Sequence, residues 1–257
     1  MSLMQLFNLA GRVALVTGGS KGLGKSMARI FAEAGADVVI SSRHEAELNT
    51  ALEEILEGTG RSGAYLVADL SKREESDRLA SEALAKFGKI DILVNNAGSN
   101  VPQPIDGIDD EDWDRIMELN LRSCMSLTRS LVPPMKERKW GRVIFISSIL
   151  GGGSRADRGT YSASKAAVIG LAQAAALDLG AFGITVNCIA PGPFLTDLPK
   201  SLLSNADQDF FSRRTALGRW GQPDELAGPA LLLASNAGSY ITGEVLVVDG
   251  GVMAHTL

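Results

Sequence analysis

Seven short runs rich in Val, Ile and Leu punctuate the chain: VALVTG, ADVVISS, AYLVADL, IDILVNNAG, GRVIFISS, ITVNCIAPG and EVLVVDGG. Amphipathic stretches, KSMARIFAEAG, EAELNTALEEIL and ESDRLASEALAKFG, separate the first four. Runs that are apolar at consecutive positions have no face to give to water, so they need helices above and below a parallel sheet. The rhythm predicts an α/β chain, a doubly wound parallel sheet with helices on both faces. It continues with a helix around 110–131, kinked further on at Pro133-Pro134, and another over 161–179, so that each later strand extends the same sheet. No Pro/Ser-rich linker, charge block or repeat intervenes, and a single domain over 1–257 is expected. Two stretches break the rhythm, GGGSRADRGT at 151–160 and the segment 194–215. Irregular segments in a compact domain are candidate site loops, and 194–215 is the expected substrate lid.

Composition narrows the partners. Of the 257 residues 45% are hydrophobic and 21% charged, the net charge is −5 and the pI is near 5.2. Such a chain offers neither nucleic acid nor an anionic membrane an electrostatic footprint. Cys124 and Cys188 have no metal-ligand spacing, no metal site is expected, and both thiols read as small buried apolar groups in a reducing compartment. The segment MSLMQLFNLAGR lacks the pattern of an export signal, no uninterrupted apolar run reaches about 18 residues, and a cytoplasmic protein is expected, with Met4 as its natural start.

The first strand runs into TGGSKGLG, where Gly18, Ser20, Lys21, Gly22, Leu23 and Gly24 form a strand-to-helix turn. Glycine permits positive φ and lets backbone N–H groups approach a pyrophosphate at a helix N-terminus. The spacing G-x3-G-x-G departs from the common dinucleotide fingerprint, and a tight βα connection is the plainer alternative. The end of the second strand lacks the acid that holds a ribose 2′-hydroxyl and carries Ser42 and Arg43 instead. A serine hydroxyl and a guanidinium suit a 2′-phosphate, with Lys21 as a second cation, so NADP(H) is the expected cofactor.

YSASK places Tyr161 and Lys165 four residues apart, on one face of a helix. A phenol is a poor acid–base group at neutral pH, and an ammonium beside it stabilises the phenolate. Alone, Y-x3-K is common by chance and needs companions. His44 and His255 are not rivals, the one lying in the cofactor-side loop and the other in the tail.

The companions exist. TGGSKGLG, NNAG, the Asn of ELNLRS, the second Ser of FISS, YSASK, and PG followed by Thr occur in this order over nearly the whole chain, which resembles the short-chain dehydrogenase/reductase family. The resemblance implies a Rossmann-type domain that transfers hydride between a nicotinamide and an alcohol or ketone. It implies Tyr161 as the acid–base, Lys165 as its tuner and a ribose ligand, Ser148 as the group that orients the substrate oxygen, and Asn120 as the support of a water-mediated proton relay. On the cofactor it implies Asp69 at the adenine, Asn95, Ala97 and Gly98 beside the ribose, and Pro191, Gly192 and Thr196 near the nicotinamide carboxamide. A homo-oligomer, tetramer or dimer, is implied as well, with EVLVVDGG at a subunit interface. GRWGQPDELAGPALLLAS and Arg155, with Arg158 as the alternative anchor, resemble the gluconate 5-dehydrogenase group and point to a sugar acid. GSYITGEVLVVDGG is equally at home in 3-oxoacyl-carrier-protein reductases. A non-catalytic NADP-binding regulator is the reading from another class, and the intact Ser148, Tyr161 and Lys165 argue against it.

Overall fold

The structure, a computed structural model, describes residues 2–196 and 205–255. Seven parallel strands, β1 Val13–Thr17, β2 Asp37–Ser42, β3 Gly63–Val67, β4 Ile92–Asn95, β5 Gly141–Ile146, β6 Ile184–Pro191 and β7 Val245–Val248, form one sheet in the order β3-β2-β1-β4-β5-β6-β7. The helices are α1 Leu3–Phe7, α2 Gly22–Glu33, α3 Glu45–Leu56, α4 Arg73–Phe87, α5 Asp110–Met117, α6 Ser123–Arg138, α7 Gly159–Leu179, α8 Asn205–Arg214 and α9 Asp224–Ala234. All seven apolar runs are strands, and the doubly wound sheet is as expected.

Two hydrophobic cores, one on each face, account for the unbroken apolar runs. Successive side chains of a strand point to opposite faces. Leu15, Leu93, Val143 and Phe145 pack with Leu79 of α4, Leu127 and Leu131 of α6 and Val168 of α7. Their neighbours Val16, Ile40, Val94 and Ile144 pack on the other side with Met27 and Phe31 of α2, Leu48 of α3 and Leu226 of α9. Each such aliphatic side chain contributes about 1.5–3 kcal/mol of burial.

The helix around 110–131 is not regular throughout. Helix α6 runs on through Pro133 and Pro134 to Arg138, although each proline removes a bond to the carbonyl four residues back. Leu131, Val132 and Met135 are buried there, so packing holds the segment helical. Ahead of it, a π-helical turn at Glu118–Arg122 joins α5 to α6. An 18-residue window of the helical stretch Gly159–Phe182 has a mean hydropathy of 1.3, and the stretch is long and apolar enough to cross a membrane although Gln173 and Asp178 interrupt its apolar run. In this fold it lies against β6 and buries Val168, Ala172, Ala176 and Leu179 on the sheet.

The amino-terminal ends of the central strands are tied together by a carboxylate. Asp91, fully buried, accepts from the Val13 N–H at 3.0 Å and lies 3.0 Å from Lys89 Nζ, 3.5 Å from Arg138 Nε and 3.8 Å from Arg12 Nη1. The Arg12 and Arg142 guanidiniums stack on Trp140, 3.6 and 4.4 Å from its ring centroid. Arg142 is buried among the Gly141, Gly183 and Ser235 carbonyls, and burial, aided by the charge of Arg12, lowers its pKa to about 10. Asp91→Ala leaves the Val13 N–H buried without its acceptor, and the urea midpoint is expected to fall by the equivalent of about 1–3 kcal/mol. An unchanged midpoint would remove Asp91 as the tie.

Candidate active site

The carboxyl ends of the strands open onto a cavity of about 580 Å³. It lies where the chain, after laying β2 and β3 on one side of β1, returns to lay β4 on the other. Diverging loops leave a crevice at such a switch point.

At one end of it lies the turn from β1 into α2. Gly18 adopts φ +64°, and a Cβ on Gly24 would collide with the Gly18 carbonyl oxygen, so glycine is required at both. Asn96 braces the turn from β4, donating from Nδ2 to Thr17 O at 2.8 Å and Gly18 O at 3.2 Å. Thr17 Oγ1 accepts from the N–H groups of Asn96 and Ala97, each at 3.0 Å. Gly22 meets Thr196, whose Cγ2 would lie 3.1 Å from a Cβ on that glycine.

Ser20, Lys21, Gly22, Leu23, Ser42 and Arg43 line this end of the cavity. Ser42 Oγ is buried with no hydrogen-bond partner among the described residues, a polar group that calls for a ligand. Asp69 also lines the cavity and accepts from Ser71 N at 3.2 Å and Ser71 Oγ at 2.7 Å. It closes a turn ahead of α4, whose cap is Lys72. Of the NNAG residues, Ala97 and Gly98 reach the cavity wall together with Asn96. Asn95 does not; it is buried, and its Nδ2 donates to Thr128 Oγ1 at 3.4 Å. Pro191, Gly192 and Thr196 form the wall beyond.

At the other end, β5 and the first turns of α7 clasp each other. Lys165, 4% exposed, donates from Nζ to Ile146 O at 2.8 Å, and Ser147 Oγ donates to Lys165 O at 2.9 Å. Lys165 Nζ lies 5.7 Å from the centroid of the Tyr161 ring. Ser148 accepts from Leu150 N at 3.1 Å, which leaves its own proton to donate. Tyr161, Lys165 and Ser148 all line the cavity.

Asn120 sits beneath this wall in the π turn, fully buried, with its carboxamide oxygen and both N–H donors engaged. Its Oδ1 accepts from Ser99 N at 2.9 Å, and its Nδ2 donates to Ser99 O at 2.9 Å and Ser164 Oγ at 3.1 Å. Ser164 Oγ donates in turn to Tyr161 O at 2.7 Å. A Cβ on Gly98 would stand 3.2 Å from Asn120 Oδ1 and 3.4 Å from Lys165 Nζ, so only a residue this small passes over the pair without displacing them. Both thiols are buried near Lys165; burial raises both pKa values, that of Cys188 to about 12, and the ammonium opposes this only in part.

The structure leaves Arg155 outside the cavity wall. It is exposed, and its guanidinium lies 5.1 Å from the Phe211 ring centroid of α8, which packs edge-on against Trp220 at 5.8 Å. Arg158 is buried at the N-cap of α7 and donates to Asp157 O at 3.1 Å. Of the segment 194–215, residues 197–204 lie outside the described residues; the rest supplies Phe194 and Thr196 to the wall and the helix α8 above the 151–158 loop.

Sequence reasoning missed Thr17, Asn96, Ser147 and Ser164. Asn96 and Ser164 sit inside NNAG and YSASK, where the motif was the signal. Glu47, also on the wall, had none, because only the fold brings it to the glycine turn.

Comparison with known proteins places the chain. The family described as enoyl-(acyl carrier protein) reductase matches residues 18–253. The chain is 38% identical over 244 residues to the 3-oxoacyl-(acyl-carrier-protein) reductase of Chlamydia muridarum, covering 95% of this chain and 98% of that one. It is also 38% identical over 254 residues to the 2-dehydro-3-deoxy-D-gluconate 5-dehydrogenase of Pseudoalteromonas atlantica, covering 98% and 100%. A solved gluconate 5-dehydrogenase from Burkholderia cenocepacia, in complex with NADP and tartrate, superimposes with a TM-score of 0.93 at 36% identity over 99% of this chain and 100% of that one. With these matches spanning almost the whole length, the chain belongs to the short-chain dehydrogenase/reductase family.

Proposed function

We propose that the protein is an NADP(H)-dependent oxidoreductase that interconverts a secondary alcohol and a ketone, with a sugar acid such as gluconate and 5-ketogluconate as the leading substrate pair. The observation that carries the reaction class is the single cavity that joins a glycine turn and the Ser42–Arg43 pair at one end to Ser148, Tyr161 and Lys165 at the other. The residues fit the cofactor. Ser42 Oγ has no partner among the described residues, Arg43 lines the same end, and Gly18 and Gly24 put no side chain at the two closest approaches of the turn. The bound nicotinamide supplies or accepts the hydride.

The chain's own residues handle the proton. In the reducing direction Tyr161 gives its phenolic proton to the substrate oxygen while Ser148 donates a hydrogen bond to the same oxygen. The Lys165 ammonium, held by Ile146 O, stabilises the phenolate left behind and serves as a ribose ligand. Asn120 fixes Ser99 and, through Ser164, the turn that carries Tyr161, and supports the relay that returns the proton. In this reading α8 and its flanks form the substrate lid. The exposed Leu177 of α7 and Val247 of β7 support a homo-oligomer, dimer or tetramer, and the two free buried cysteines suit a cytoplasmic enzyme.

The sugar-acid substrate is supported by the relatives named for sugar acids. A carrier-bound 3-oxoacyl thioester is the second reading. The relative from Chlamydia muridarum favours it, as does Arg155, which rests on Phe211 and not on the cavity wall.

Three outcomes test these assignments. Tyr161→Phe is expected to lower kcat by about two orders of magnitude or more while NADPH binding, followed by fluorescence, stays nearly intact; near-normal turnover sinks the mechanism. Arg43→Asp is expected to weaken NADPH far more than NADH, since repulsion replaces an ion pair, and equal losses refute the 2′-phosphate assignment. Arg155→Ala is expected to raise KM for 5-ketogluconate about ten- to a hundredfold and to spare neutral ketones. If the two substrate types respond alike, the thioester reading takes its place.

A further inference from the structure

An acid, Glu47, stands beside the cations at the nucleotide end of the cavity. Glu47 lies in the first turn of α3, and its side chain, 43% exposed, faces the glycine turn. Its Oε2 accepts from Ser20 Oγ at 3.3 Å, and its Oε1 is 3.7 Å from Lys21 Nζ. Ser42, with its partnerless hydroxyl, and Arg43 line the same end. The groups suited to a 2′-phosphate thus share their space with a carboxylate that already engages two residues of the turn.

We propose that Glu47 is a cofactor-specificity residue: an internal anion that holds Lys21 and Ser20 on its own carboxylate, competes with the 2′-phosphate of NADP(H), and thereby narrows the preference for NADP(H) over NAD(H). This rests on the cofactor assignment above. A phosphate dianion that reaches Ser42 and Arg43 meets a negative charge on the neighbouring helix and must draw Lys21 away from it. The same phosphate gains from the cations, so the net preference is what remains of two opposed contributions. NAD(H) presents a hydroxyl at that position, which a carboxylate tolerates and can accept from. Glu47 therefore burdens one cofactor and not the other. Its partial exposure makes the effect moderate and sensitive to salt.

Glu47→Gln removes the charge and keeps both the length of the side chain and an oxygen that can accept from Ser20. The experiment is calorimetric binding of adenosine 2′,5′-bisphosphate and of adenosine 5′-monophosphate, which differ only in the 2′-phosphate, to the unaltered protein and to Glu47→Gln. Binding without turnover keeps the result independent of the catalytic residues. The substitution is expected to tighten the bisphosphate roughly three- to tenfold and to leave the monophosphate within about twofold, the gain shrinking as salt rises from 20 to 300 mM. Glu47→Ala is expected to move in the same direction. If the unaltered protein prefers the bisphosphate but Glu47→Gln changes neither ligand, or both equally, the specificity role is overturned while the cofactor assignment stands. If the unaltered protein binds the two ligands equally, the cofactor assignment itself fails, and the role of Glu47 with it.

Discussion

The central strands have no face in contact with water, and the organisation of the molecule follows from that. A strand buried on both sides can carry neither catalytic nor binding groups along its length, so polar work is displaced to its two ends. Because all seven strands run parallel, the ends differ in kind. The amino-terminal end is closed by charge, with Asp91 gathering Arg12, Lys89 and Arg138 around the start of β4. The carboxyl end stays open, and the groups that brace it, Thr17, Asn96, Ser147 and the carbonyl of Ile146, belong to strand ends or the residues just beyond.

A second consequence concerns how rigidly the open end is held. Lys165 and Asn120 are almost wholly buried, yet their polar atoms meet partners on three separate segments: β5, the loop after β4 and α7 itself. An ammonium in such a place persists only because a carbonyl receives it and the cavity beside it admits water or ligand. The cost of ordering these side chains is met during folding, so they stand in position before any substrate arrives.

The strands were legible because unbroken apolar runs allow few other arrangements, and the meeting of Tyr161, Lys165 and Ser148 at one cavity was legible because these residue types stand at a set spacing. What escaped were contacts between residues far apart in the chain. Nothing near Glu47 announces that Ser20, 27 positions earlier, will donate to it. Nor does NNAG say which of its two asparagines braces the glycine turn: Asn95 faces Thr128 on α6, and Asn96 does the bracing. The π turn was illegible for another reason. A helix with one residue too many keeps nearly the same apolar pattern over a short stretch, so nothing in 118–122 sets it apart from a regular helix.

That extra residue sets two goods against each other. A π turn amounts to a single inserted position within an α-helix, with poorer hydrogen bonds than the helix on either side. Deleting one residue from 118–122 would restore a regular helix from α5 into α6, and it would also rotate Asn120 by roughly 100° relative to one of them. Helical regularity and the placement of the Asn120 carboxamide cannot both be had. Selection for thermal robustness alone would tend to erase the insertion, so its presence marks a position where the chain forgoes local stability for geometry at the site.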